Sequence, residues 1–195
     1  MKMKEGHLAV NEFTRKKLET VLNFCRKPEK MFEIGFQAGH STRMFLELFP
    51  EMEVHSIDIC EYDFTEELGR KLEEEFPNFT FTNKNSHDLT TEDLDGYEFV
   101  FVDGGHDEET VENDIGIAIK SNIPFILVDD YSLQFPQVKA ISNLMVKEND
   151  YHWFSDPIHY FSEFNSSISD SSFRLMVRDD LISTYPEHIH HLFVK

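Results

Sequence analysis

Two segments, YEFVFVD at 97–103 and IPFILVD at 123–129, are apolar almost without interruption, and each ends on an aspartate. A strand with one buried face alternates apolar and polar residues, whereas a strand buried on both faces reads as a continuous apolar run. These two segments therefore predict central strands of a parallel sheet with helices on both sides. The flanking sequence supplies the rest of that pattern. MFEIG at 31–35, EVHSIDI at 53–59 and FTFT at 79–82 read as shorter strands, the second interrupted by His55 and Ser56. Between them lie segments with helical spacing: Met44, Phe45 and Leu48; Phe64, Leu68, Leu72 and Phe76; Val111, Ile115, Ala118 and Ile119. The last of these opens on Asp107, Glu108 and Glu109, acids that suit the positive end of a helix. An opening helix is predicted from Val10 to about Arg26, with Asn11 as its cap and Phe13, Leu18, Val21, Leu22 and Cys25 as its apolar stripe, and a further helix at 136–147. YHWFS at 151–155 and SFRLMVR at 172–178 are expected to pair antiparallel at the sheet edge.

Repeated strand–helix–strand alternation implies an α/β fold: a doubly wound, Rossmann-like, mostly parallel sheet with an antiparallel edge strand and helices on both faces. The 195 residues fit a single domain, divided into an N-terminal helix (1–29), a core (30–178) and a C-terminal extension (179–195). The Ser-rich stretch 165–172 reads as a loop within it. Nineteen Phe offset a hydrophobic fraction of 40%, so a packed core is expected rather than disorder.

Charge narrows the partners. Eighteen Lys and Arg against thirty-seven Asp and Glu give a formal charge of −19, which would repel nucleic acid and anionic membrane surfaces. Small molecules and cations are the expected partners. No apolar run reaches the roughly 18 residues of a membrane span, and the opening MKMKEGHLAV lacks the apolar stretch of a signal peptide. Cys25 and Cys60 have no paired spacing, so neither a disulfide framework nor a zinc knuckle is expected. A cytoplasmic location fits. After Arg178, the residues Leu181, Ile182, Ile189, Leu192 and Phe193 offer a face for a second copy of the chain, while His188, His190 and His191 read as a solvated or packing segment.

In doubly wound sheets, ligands bind beyond the carboxyl ends of the strands. Those ends carry Glu33–Ser41, Asp58–Cys60, Asn83–His87, Asp103–His106 and Asp129–Leu133. Gly35 and Gly39 would let the first loop approach a ligand closely, or simply form a tight turn capped by Ser41. The lysine and spacing of a phosphate-binding P-loop are missing, and Phe36-Gln37-Ala38 replaces the middle glycine of a dinucleotide site. Asp58, roughly 20 residues beyond Gly35, stands where an acid accepts hydrogen bonds from ribose hydroxyls, or is an ordinary strand-end carboxylate. Asp103, Asp129, Asp130 and His106 converge on one rim. The acids either share a hard divalent cation such as Mg²⁺ or cap helices. His106, with an ordinary pKa of about 6.5, is the preferred general base by position, with His40 and His87 as rivals.

These motifs resemble the class I S-adenosylmethionine-dependent methyltransferases. EIGFQAGHS is similar to their first motif, and FVDGGHDEETVENDI with ILVDDYS resembles the small O-methyltransferases whose fourth strand ends in VDG-x-H. The resemblance spans about residues 30–145. It implies S-adenosylmethionine as cofactor, with Gly35, Gln37, Gly39 and Ser41 lining its methionine and ribose portion, Glu33 orienting the loop and Asp58 holding the ribose diol. Asn85 and Ser86 would stand near the adenine, with Asn where the family usually has Asp, and Asp103 would border the same pocket. Likeness to metal-dependent sugar O-methyltransferases implies Mg²⁺ on Asp103, Asp129 and Asp130, and His106 as the base for a small-molecule hydroxyl acceptor. A metal-independent methyltransferase and a non-catalytic binding module of the same fold are the alternatives.

Overall fold

The computed structural model describes residues 12–155 and 173–195. An eight-stranded sheet has the order β3-β2-β1-β4-β5-β7-β6-β8. The strands are β1 (Lys30–Ile34), β2 (Glu53–Asp58), β3 (Phe79–Asn83), β4 (Phe99–Val102), β5 (Phe125–Val128), β6 (Tyr151–Phe154), β7 (Arg174–Arg178) and β8 (Phe193–Val194). The first five pair in parallel, whereas β5–β7, β7–β6 and β6–β8 are antiparallel. The helices are α1 (Glu12–Phe24), α2 (His40–Leu48), α3 (Thr65–Glu75), α4 (Glu108–Lys120), α5 (Pro136–Glu148) and α6 (Asp179–Ile182). Val10 and Asn11, the expected start and cap of the first helix, and the 165–172 loop lie outside the described residues.

The continuous apolar runs do what their pattern requires. Phe99, Phe101, Phe125 and Leu127 pack toward Leu18, Leu22, Met44 and Phe45 on one face. Val100, Val102, Ile126 and Val128 alternate onto the other, against Val111, Ile115, Val138 and Ile141. Each fully buried aromatic or aliphatic chain is worth roughly 1.5–3 kcal/mol, so these two layers fix the register of the central strands. The polar interruptions of β2 are satisfied in place. His55 lies between the Tyr97 hydroxyl (3.1 Å) and Thr82 Oγ1 (2.9 Å), and Ser56 donates to Glu33.

The expected antiparallel pair forms at β6 and β7. The two-residue β8 had no pattern to announce it and adds a further edge. Leu181, Ile182, Tyr185, Ile189 and Leu192 pack back on the core of their own chain, with Tyr185 stacked on Phe24 at 4.7 Å. The apolar extension thus packs, partly buried, on this chain's own α1 side. Both cysteines are free thiols. No helix among the described residues is long and apolar enough to cross a membrane.

Candidate active site

From β1 the chain runs outward through β2 to β3, and from β4 it runs the other way to β5. The loops after β1 and β4 therefore part at adjacent strands and open a crevice, the switch point at which such sheets bind ligands. All the singled-out loops reach this edge.

The β1–α2 loop is built around two glycines in the left-handed region, Gly35 (φ 97) and Gly39 (φ 72), with Gln37 between them at φ 46. A Cβ on Gly35 would lie 1.9 Å from the Asp103 carbonyl oxygen, and one on Gly39 would lie 2.4 Å from the Phe36 ring. Their missing side chains thus admit the neighbouring loop and Phe36. Phe36 is buried and stacks on Phe79 at 5.9 Å, so the residue in the middle-glycine position anchors the loop downward.

Glu33 orients this loop from below. It is fully buried and accepts hydrogen bonds from Ser41 (2.6 Å), Thr42 and Ser56. Burial pushes its carboxyl up to about 7 despite the three hydroxyl donors. Ser41 is therefore buried, with its hydroxyl donating to Glu33.

Asp58 is shared between protein and crevice. Its Oδ2 accepts from the amides of Phe36 (2.9 Å) and Gln37 (2.8 Å), and its Oδ1 accepts from that of Cys60 (2.7 Å). A carboxylate has about four acceptor positions, so roughly one remains beyond these three amides. Beyond β3, Asn85 Oδ1 caps the turn by accepting from the His87 amide (3.0 Å), and Ser86 is buried beside Asp114. Asp114 was not singled out in the sequence. It lies on the buried stripe of α4 three residues after Val111, under Gly104, with Oδ1 accepting from Asn113 (3.1 Å). An acid interrupting an apolar stripe was the available signal.

The acid rim is drawn together as expected. A small cavity is lined by Asp103, Gly104, Gly105, His106, Asp129 and Asp130 with apolar walls from Val102, Val111, Val128 and Val138. Burial, then Asp129, Asp130, Glu33 and Asp58, push the Asp103 carboxyl well above the usual range. Burial and Asp130 push Asp129 up in the same way. Asp130, held at φ 55, turns its Oδ2 to His106 Nε2 at 2.7 Å. This contact raises the His106 pKa, and the imidazole packs on Phe135 at 4.1 Å.

Among the described residues no three His, Cys, Asp or Glu side chains are grouped so as to hold a metal ion. Asp130 is engaged by His106, and Lys17, a lysine buried on α1, acts electrostatically on Asp129. Lys17 escaped the sequence analysis, although its place beside Leu18 and four residues before Val21 puts it on the inward stripe of α1.

Comparison with known proteins agrees with this arrangement. A family model described as a methyltransferase domain matches residues 32–131. No curated protein matches the chain in sequence. Among solved structures, the O-methyltransferase TomG from Streptomyces achromogenes, involved in tomaymycin synthesis and bound to S-adenosylmethionine, is 16% identical with a TM-score of 0.63, covering 88% of this chain and 82% of its own. An O-methyltransferase from Bacillus cereus in complex with S-adenosylhomocysteine is 14% identical with a TM-score of 0.62, covering 89% and 84%. An S-adenosylhomocysteine-bound methyltransferase from Podospora anserina is 12% identical with a TM-score of 0.63, covering 84% and 77%. At such identities the likeness is one of fold, and the matched domain carries the assignment: this chain belongs to the methyltransferase-domain family, as its resemblance to class I S-adenosylmethionine-dependent methyltransferases implied.

Proposed function

We propose that this chain transfers the methyl group of S-adenosylmethionine to a hydroxyl oxygen of a small molecule, with the His106–Asp130 pair taking the acceptor's proton. The observation that carries the reading is the 2.7 Å contact of His106 Nε2 with Asp130 on the crevice rim, beside the loop held by Asp58 and Glu33. The loop of residues 35–39, Asp58 and Asn85 surround the switch-point crevice and are the groups that would hold the cofactor. When bound, S-adenosylmethionine supplies a methyl carbon already activated by its sulfonium.

The protein's tasks are then alignment and proton removal. Asp130 accepts from Nε2, so the neutral imidazole keeps its proton there and presents the Nδ1 lone pair. Bound in the crevice, S-adenosylmethionine would supply the methyl carbon to the acceptor oxygen, the carbon–sulfur electron pair leaving with sulfur. The hydroxyl proton passes to Nδ1, and Asp130 stabilises the resulting imidazolium. Raised basicity suits this role, because an imidazole next to a carboxylate holds the transferred proton more tightly. Valines and Phe135 around His106 favour an acceptor with some apolar surface.

The experiment is methyl transfer from labelled S-adenosylmethionine to a panel of sugars, phenols and aliphatic alcohols, with His106→Gln beside the wild type. His106→Gln should lose about 10²–10⁴-fold in kcat while binding S-adenosylhomocysteine normally. Undiminished turnover in that variant would remove His106 from the reaction.

A further inference from the structure

Most arginines of this acidic chain are matched to acids. Arg15, Arg43, Arg70 and Arg178 each hold a carboxylate, and Arg26 bonds Thr184 at the surface. Arg174 differs: it opens β7 half-buried and forms no ion pair with a described residue. Aromatic and neutral groups fix it instead. Its Cζ lies 4.9 Å from the centroid of the Tyr131 ring and 4.8 Å from that of Trp153, and Nη1 donates to the Tyr131 hydroxyl at 2.8 Å. That hydroxyl donates in turn to Asn143 Oδ1 (2.8 Å), which also accepts from Trp153 Nε1 (3.0 Å). Both rings are buried and meet edge-on at 5.1 Å. A guanidinium stacked on rings keeps its N–H groups in its own plane, directed past the ring edges. Nη1 has its partner in Tyr131, whereas Nε and Nη2 bond no described residue.

This cation stands at the crevice. Arg174 is the cross-strand partner of Val128, and directly opposed residues hold their Cβ atoms about 5 Å apart on one face of a sheet. Val128 lines the cavity together with His106 and Asp130. Tyr131 follows Asp130, so two consecutive residues of the β5–α5 loop engage His106 and Arg174. Lys139, one turn into α5, brings a second cation to the same ring, with Nζ 5.5 Å from the Tyr131 centroid. An oxyanion suits this arrangement, because the planar fork of arginine matches carboxylate or phosphate oxygens and the resulting hydrogen bonds are roughly twice as strong as neutral ones. With a net charge of −19 repelling anions elsewhere, binding one requires such a local cation.

We propose that Arg174 is a specificity residue of the acceptor site, and that the methyl acceptor is a hydroxyl compound that also carries an oxyanion, bound along the open edge of Arg174 while its hydroxyl lies at His106. The identity of the acceptor rests on the methyl-transfer reading above, whereas oxyanion binding at Arg174 does not. Tyr131, Asn143 and Trp153 hold the fork still, and Lys139 adds attraction.

Trp153 is the sole tryptophan, so its indole N–H gives one cross-peak in a proton–nitrogen correlation spectrum of the full chain and reports directly on the stacked guanidinium. The test titrates 4-hydroxybenzoate against its neutral amide, and glycerol 3-phosphate against glycerol, at constant ionic strength and up to about 20 mM, which reaches dissociation constants in the millimolar range. At least one anion should move the Trp153 signal saturably, and which one does so separates carboxylate from phosphate. The neutral probes should leave the signal in place. Arg174→Gln should bind the anion about 10–100-fold more weakly. Neutral and anionic probes acting alike, neither anion moving the signal, or an Arg174→Gln variant as tight as wild type would each overturn the proposal. Where Arg174→Gln does not fold, Arg174→Lys takes its place; an ammonium cannot reproduce the stacked fork, so several-fold weaker binding is expected, and undiminished affinity would count against the proposal.

Calorimetry with S-adenosylhomocysteine keeps the two readings apart. Arg174→Gln should bind it as wild type does. A wild type that fails to bind it would defeat the methyl-transfer reading, and the anion titration would still decide the role of Arg174. In turnover, Arg174→Gln should raise KM for an anionic hydroxyl compound by about 10–100-fold with a smaller change in kcat, because the oxyanion is held alike before and during transfer. A fall in kcat at unchanged KM would contradict the anchoring role.

Discussion

Replacing Glu33 by Gln tests whether the carboxyl beneath the glycine loop carries the electrostatic cost that its burial implies. Glu33 is 0% exposed, and burial raises its pKa from 4.5 to about 7. The folded protein therefore binds this proton more tightly than the unfolded chain, and the site contributes more stability at low pH than at high pH. That contribution is full below pH 4.5 and disappears as pH rises through 7. Integrated between pH 5 and pH 8, the shift amounts to about 2.5 kcal/mol. Glu33→Gln keeps the shape and a carbonyl acceptor for the hydroxyls of Ser41, Thr42 and Ser56, but it cannot titrate. Urea unfolding followed by the fluorescence of Trp153, at half-unit steps from pH 5 to 8, should show the wild type losing about 2.5 kcal/mol relative to the variant as pH rises. In a chain of this length that corresponds to roughly 5–10 °C in melting temperature. Differences between the two proteins cancel the titration of Asp114 and Asp129, which runs in the same direction. Stability curves that stay parallel across the range would refute the argument and would mean that the three hydroxyls fully solvate the ionised carboxylate.

Three other outcomes are expected. The rate of methyl transfer should rise with pH through a His106 limb lying above the ordinary histidine range, because the base must be neutral. Asp130→Asn should move that limb to lower pH, and a limb that stays in place would show that the 2.7 Å contact does not set it. Gly35→Ala should destabilise by more than about 2 kcal/mol, since its Cβ would meet the Asp103 carbonyl at 1.9 Å from a backbone at φ 97; thermal unfolding gives the loss. Asp58→Asn should cost about 1–3 kcal/mol, because an amide cannot accept from both the loop amides and Cys60, and the affinity for S-adenosylhomocysteine by calorimetry should fall with it.

Local pattern located most of the elements and the edge of the sheet where function belongs. The segments at 97–103 and 123–129 declared buried parallel strands because nothing else tolerates apolar residues on both faces at that length. Asp58, Asp103, His106 and Asp130 were legible because each follows a strand, and strand ends meet in space. What escaped were residues whose meaning depends on what they face. Lys17 and Asp114 sit on inward helix stripes, and a charge in an apolar stripe does not reveal its partner. The hydrogen bond from Ser41 to Glu33 joins residues on a helix and a strand, and nothing along the chain announces it. β8 is only two residues long and exists because β6 leaves an edge to pair.

Periodicity and strand-end chemistry, which are local along the chain, were enough to determine the layered α/β architecture, and the resemblance of the motifs after β1, β4 and β5 pointed to the family. Tertiary structure alone decided how the charges of the rim are shared. Electrostatic balance depends on distances between residues far apart in sequence, and only folding brings His106, beyond β4, up to Asp130, beyond β5.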